Sequence, residues 1–208
     1  MLRLAPLALA VAAALAAAAS GPGARLGLWH WRTGFELLAW AVYLGIAAAV
    51  LALILFLVPR IRRQGPIALI VAFVLGAASA AGPLELRRQA RSAPPINDIA
   101  TDSRSEVQRA AYPDIAPLLL PDPPGAALAR AAAAARAMGW EVVSADPASG
   151  TIEAVDTTLW FGFEDDVTVR VTAVEAGSRI DVRSKSRVGR GDAGTNARRI
   201  RAYLERLR

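Results

Sequence analysis

Asp166-Val167-Thr168-Val169-Arg170-Val171-Thr172-Ala173-Val174 and, after Glu175-Ala176-Gly177-Ser178, Arg179-Ile180-Asp181-Val182-Arg183-Ser184-Lys185 decide the fold of the C-terminal part of this chain. Val167, Val169, Val171 and Ala173 alternate with Thr168, Arg170, Thr172 and Val174. Ile180 and Val182 alternate in the same way with Arg179, Asp181, Arg183 and Lys185. Side chains along a strand point to opposite faces with a period of two, so the pattern predicts two strands, each with an apolar and a polar face, joined by the Glu-Ala-Gly-Ser turn.

Two further strands are expected upstream, Trp140 to Ser144 and Thr151 to Thr158, separated by the turn Asp146-Pro147-Ala148-Ser149-Gly150. Before them, Asp122 and Pro123 suit an N-cap and a first helical position, and a helix is predicted through Met138. Leu128, Ala132, Ala135 and Met138 share one of its faces, and Gly139 is a good stop. A last helix is predicted from an Asp192 cap, with Ala193, Ala197, Ile200, Leu204 and Leu207 at helical spacing and Arg198, Arg201, Glu205 and Arg208 opposite. The expected class is α+β: N-terminal transmembrane helices, then a two-layer sandwich of helix, four-stranded antiparallel meander and helix over 125–208. Both helices would cover one sheet face and leave the other polar and open. Residues 87–124, punctuated by Pro94, Pro95, Pro113, Pro117, Pro121, Pro123 and Pro124, read as an irregular lead-in.

The N-terminal part has a different solvent. Of the 208 residues, 54% are hydrophobic, above the roughly 45–50% of globular chains, and the excess lies before Glu85. Residues 1–86 form a membrane block with helices expected at about 4–19, 37–58 and 67–84. About 20 apolar residues cross the hydrocarbon core. The second segment meets that length, with Trp40 and Tyr43 suited to an interfacial belt. Ala72, Gly76 and Ala80 give the third a smooth face for helix packing. The first, behind Met1 and Arg3, reads either as a secretory signal or as a short uncleaved span, the latter being preferred. Between the first two spans, Trp29-His30-Trp31-Arg32 suits the headgroup layer, so His30 is read as interfacial rather than as a ligand.

Composition excludes several classes. There is no Cys and one His, so disulfides, thiolate or His-rich metal sites and a catalytic triad are ruled out. The formal charge is +6, but it is shared with the membrane flanks and carries no recognition motif, so nucleic acid is not an expected partner. No cofactor is indicated.

Pro94-Pro95-Ile96-Asn97-Asp98-Ile99-Ala100-Thr101-Asp102, Tyr112-Pro113-Asp114, Gly139-Trp140-Glu141-Val142-Val143, Trp160-Phe161-Gly162-Phe163-Glu164-Asp165-Asp166, Ser184-Lys185-Ser186-Arg187-Val188-Gly189 and Asp192-Ala193-Gly194-Thr195-Asn196 occur in this order. Over about residues 90–207 the chain resembles the domain of unknown function 1499 family, in its membrane-anchored proteobacterial form. The resemblance implies no established activity. The family pattern commonly has His where Asn97 stands here, so a role resting on that His does not carry over.

Two groups of candidate site residues emerge. Asp98, Asp102, Asp165 and Asp166 are a candidate carboxylate cluster for a hard cation or acid–base work, though loop Asp residues more often cap turns and no metal site is assigned. Arg187, Arg190, Gly191 and Asn196 form a candidate anion-binding corner, where a Gly-rich turn leads into a helix N-terminus. The bland alternative is that Asp192 caps that helix and itself fills the anion position. Trp160, Phe161 and Phe163 are expected in the core, with a pocket or the bilayer surface as alternatives, and Ser184 and Ser186 lack a base. The function expected is a membrane-tethered domain that binds an envelope protein, another envelope component or anionic lipid headgroups. A hydrolase or cation-dependent enzyme using the loop carboxylates is the alternative. The location expected is the bacterial inner membrane, multi-pass, with the C-terminal domain in the periplasm, because Arg60, Arg62 and Arg63 should hold their loop in the cytoplasm. A phosphatase reporter fused after Arg208 should therefore be active outside the cytoplasm. Activity of a cytoplasmic reporter alone at that site would reverse the orientation.

Overall fold

The computed structural model describes residues 4–208, so the basic start at Met1 and Arg3 lies outside the described residues. The chain divides into two units. The first comprises the residues up to Arg88 together with the tip Leu159–Gly162, and the second comprises Gln89–Thr158 and Phe163–Arg208.

The helical unit is built from α1 (Ala5–Arg25), α2 (Trp31–Leu57), the single turn α3 (Pro59–Arg62) and α4 (Pro66–Ser92), which runs on past the unit boundary. Three of these, α1, α2 and α4, are long and apolar enough to cross a membrane. Each outruns its apolar segment, because the helical backbone ladder continues where no stop signal intervenes. Small residues set the packing. A Cβ on Gly45 would lie 2.5 Å from the Gly76 carbonyl oxygen, and one on Gly76 would lie 2.6 Å from the Gly45 oxygen, so the backbones of α2 and α4 meet there. Ala72, Gly76 and Ala80 are buried on α4, as its smooth face predicts. Ala10, Ala48, Ala52 and Ala72 form the small apolar cluster of this unit. In lipid, where apolar side chains gain nothing by leaving the solvent, such close backbone approach is the main source of helix association. His30 acts as a helix cap, its Nδ1 accepting from the Arg32 N–H at 3.3 Å at the start of α2.

The second unit is α+β. Its strands are β1 (Asp98–Ala100), β2 (Leu118–Leu120), β3 (Glu141–Asp146), β4 (Thr151–Thr157), β5 (Glu164–Val174) and β6 (Gly177–Ser186), with helices α5 (Glu106–Ala111), α6 (Pro124–Ala137) and α7 (Thr195–Arg206). The meander β3-β4-β5-β6 is antiparallel throughout. The lead-in read as irregular is not: β1 and β2 both pair antiparallel with the outer edge of β6, so six strands form one sheet. Three-residue strands are too short for alternation to show, and their reason for existing is the row of β6 backbone groups that would otherwise face outward unpaired. Thr101 fills the gap between them. Its N–H donates to the Val182 carbonyl at 2.9 Å, its Oγ1 accepts from the Val182 N–H at 2.9 Å, and its hydroxyl donates to Asp181 at 3.1 Å.

The core lies between the apolar sheet face and helices α6 and α7. Val167, Val169 and Val171 of β5 and Ile180 and Val182 of β6 meet Ala127, Leu128, Ala131 and Ala135 of α6 and Ala197, Ile200, Tyr203, Leu204 and Leu207 of α7. The alanines of α6 let it lie close to the sheet. Tyr203 stacks on Trp140 with centroids 4.8 Å apart and donates its hydroxyl to the Ala131 carbonyl at 2.9 Å. Burial pushes its phenol pKa up. Asp122 does not cap α6; it pairs with Arg130 at 2.8 Å and leaves Pro123 as the N-cap residue. Asp192 and Ala193 precede α7, whose N-cap residue is Gly194; from two residues further back the Asp192 carboxylate accepts from the N–H groups of Gly194 (2.9 Å) and Asn196 (2.6 Å).

Val169→Asp should therefore lower stability by roughly 3 kcal/mol or more, since it places an unpaired charge at a fully buried site. Thr168→Asp, one residue away on the polar face, should cost under about 1 kcal/mol. Thermal unfolding of the detergent-solubilised full chain, followed by near-ultraviolet circular dichroism, checks both. Equal losses would contradict the assigned faces.

Candidate functional site

Strand parity separates the expected carboxylate cluster. Asp165 shares the inward face of β5 with Val167, while Asp166 faces out with Thr168 and Arg170, so the two adjacent carboxylates lie on opposite sides of the sheet. The four acids do not converge. Each is met by its own partner, and among the described residues no group of three His, Cys, Asp or Glu side chains is arranged to hold a metal ion.

On the inward side the sheet carries a polar core that the sequence reading missed. Arg199 of α7 is buried, and its guanidinium donates to Asp165 (2.6 Å), Asp156 (2.6 Å), the Ser184 hydroxyl (2.9 Å) and the Asn196 carbonyl oxygen. The Ser184 hydroxyl donates in turn to the Asn196 oxygen at 2.7 Å. The Asn196 amide donates to the Ser186 hydroxyl and to the Asn97 carbonyl, both at 3.0 Å. A planar fork is what lets one cation hold this many acceptors. Signals for it exist in the sequence. Ser184 and Ser186 continue the inward parity of Ile180 and Val182, Asp165 continues that of Val167, and Asn196, Arg199 and Tyr203 recur at helical spacing. An Arg beside an apolar stripe is ordinarily solvated, which hides the pattern.

Two parts of the corner expected to bind anions are engaged from within the chain. Arg187 pairs with Asp166 at 2.7 Å and also with Glu164. Asp192 takes the helix N–H groups that an external anion would need. Asn196 belongs to the buried network, and Arg190 and Gly191 lie on an exposed turn. Asn97 ties that turn down by donating its amide to the Gly189 carbonyl at 2.7 Å.

The outward face of the sheet is the most distinctive surface of this unit. Asp98 and Asp166 flank Lys185 across three adjacent strands. Arg183 grips Asp98 through Nε (2.9 Å) and Nη2 (2.5 Å), and Arg170 stands 3.9 Å from Asp102. Glu164, Asp166, Arg170, Arg183, Lys185 and Arg187 are all exposed. At the β1 edge a concavity of about 440 Å³ opens, lined by Pro95, Asn97, Asp98, Ser105, Gln108 and Arg183 among others. Its floor is fixed by Gln108, whose amide donates to the Ala100 carbonyl at 2.5 Å and accepts from the Ala100 N–H at 3.2 Å, closing the outer edge of β1 as a strand would. The hydrogen bond from Arg183 holds the Asp98 carboxyl below the usual carboxylate range.

The aromatic expectation also changes. Trp160 and Phe161 are absent from the core of the second unit; they sit in the tip that belongs to the helical unit. Phe163 closes the neck of that tip, its N–H donating to the Thr158 hydroxyl and its carbonyl accepting from the Thr158 N–H, both at 2.8 Å.

A family model described as protein of unknown function (DUF1499) matches residues 88–207. Among curated proteins and solved structures, none matches the chain.

Two substitutions separate the buried network from the surface lattice. Arg199→Leu leaves Asp165 buried and unpaired and should cost about 3–5 kcal/mol, with Arg199→Lys recovering little, because an ammonium cannot reach the same acceptors. Asp98→Asn should cost below about 1 kcal/mol. The folded pKa of Asp98 is depressed, so its contribution is complete above about pH 5 and fades as pH falls through the depressed value. Denaturant titrations from pH 7 to pH 2 should show the gap between Asp98→Asn and the parent closing with acid; a gap that widens would contradict the pairing.

Proposed function

From the premise that this chain belongs to the DUF1499 family, whose description names no activity, we propose that it is a membrane-tethered binding protein. In this reading α1, α2 and α4 hold the chain in the bacterial inner membrane, and the α+β domain faces the periplasm. There the open face of its sheet receives an envelope protein or another polar envelope component.

The observation that supports this reading is the outward sheet face. Its charges are fixed in position by strand register and alternate in sign across β1, β6 and β5; Asp166, Arg170, Arg183 and Lys185 stay exposed while both core helices lie on the other side. Such a face offers electrostatic complementarity, which governs specificity and encounter rate more than raw affinity. Asp98, Asp102, Asp165 and Asp166 are each held by a different arginine, and the pair that does meet, Asp156 and Asp165, is taken up by the buried Arg199, whereas acid–base catalysis needs groups free to act on one reacting atom.

Charge reversal tests it. Arg170→Glu together with Lys185→Glu should leave the fold intact and sharply reduce recovery of whatever the parent chain captures by cross-linking in native membranes. The same double reversal on the exposed face of α7, Arg198→Glu with Arg206→Glu, should leave capture unchanged. Loss in the second pair but not in the first would reject the open face as the binding surface.

A further inference from the structure

The tip Leu159-Trp160-Phe161-Gly162 is seated in the helical unit by both polar and shape complementarity. The Trp160 indole N–H donates to the Ser20 hydroxyl at 3.2 Å, and Arg25 donates to the Leu159 carbonyl at 2.6 Å. The Phe161 ring stacks on Phe35, with centroids 4.8 Å apart and planes 17° from parallel. Two glycines make the space. A Cβ on Gly21 would overlap the Trp160 indole, and one on Gly34 would come within 2.8 Å of Phe161. A stretch some 140 positions distant from Ser20 in sequence is thus fitted to the end of the α1–α2 hairpin.

Although its polar atoms are satisfied, this end of the hairpin keeps large apolar side chains in the open. Leu159 is 84% exposed and Trp160 47%, while Leu26 and Leu28 in the adjoining turn are 74% and 69% exposed. Together with Arg25, Arg32 and Trp31, whose ring lies 5.3 Å from the Arg32 guanidinium, they make up the mixture that suits a headgroup layer: aromatic rings, aliphatic tips and cations. In water so much exposed apolar surface is costly. The surface is also continuous with two helices long and apolar enough to cross a membrane, which indicates what covers it.

We propose that Leu159–Gly162 is an interfacial membrane anchor: Leu159 and Trp160 immerse in the lipid headgroup and upper acyl region at the level of the Leu26–His30 turn. The partner is the phospholipid surface itself. The proposal rests on the reading of α1 and α2 as membrane spans.

The absence of Cys from the chain allows a clean test. Single-cysteine variants Leu159→Cys, Leu28→Cys, Leu53→Cys and Ser149→Cys of the full chain are nitroxide-labelled in phospholipid nanodiscs. Collision with oxygen, which concentrates in lipid, is compared with collision with a water-soluble nickel chelate. Leu53 lies in the apolar C-terminal part of α2, four residues before its end, and Ser149 lies in the exposed β3–β4 turn. The label at 159 should favour oxygen over nickel several-fold more than the label at 149, and should match the label at 28. A label at 159 as accessible to nickel as the one at 149, or shielded from both reagents, would overturn the proposal. A water-exposed label at 53 would overturn the membrane reading, and the proposal with it.

Discussion

The second unit depends on the register between β5 and β6. Ten residue pairs run from Asp165 opposite Ser186 to Val174 opposite Gly177 without a shift. Because side-chain direction alternates strictly along a strand, this register decides which groups meet the helices and which meet solvent. A slip of one residue would turn one strand over relative to the other, carrying either Val167 and Val169 or Ile180 and Val182 into water and bringing Arg170, or Arg183 and Lys185, into the core. The four apolar side chains resist that slip through burial. The Arg199 network resists it through geometry, since Asp165, Ser184 and Ser186 reach Asn196 and Arg199 only in this register.

The two kinds of constraint have different costs. Apolar burial is tolerant of volume-conserving change. A buried ion pair is not: its net contribution to stability is small or negative against an apolar replacement, but removal of one member is severe. A cation in the core of a domain this small is better understood as a device for specifying one arrangement of α7 on the sheet than as a source of stability. Surface pairs such as Asp98–Arg183 fall in the opposite class, cheap to lose and available to an incoming partner.

Much of this was legible in the sequence. Alternation in β5 and β6, the stripes of α6 and α7, the Gly139 stop and the small face of α4 all express local periodicity or local capping, and each lies where local rules put it. What escaped reading was non-local. β1 and β2 are three residues each and owe their conformation to β6, not to their own composition. Arg199 is buried because Asp156 and Asp165 arrive from two other strands, which nothing within α7 announces. Trp160 and Phe161 look like core residues by type, yet their partners Ser20 and Phe35 lie more than 120 positions away. The candidate site was legible in its residues but not in their grouping, since parity divides Asp165 from Asp166 and arginines divide the remaining acids.

The claim that the open sheet face is the binding surface is tested most directly by site-specific photo-crosslinking in living cells. A photoreactive amino acid is introduced one position at a time at Thr168, Arg170 and Lys185 on the open face, and at Arg198 and Arg206 on α7. A discrete, reproducible adduct is expected from the open-face positions and none from α7. Adducts that arise only from the α7 positions, or that are equally strong from both faces, would refute the assignment.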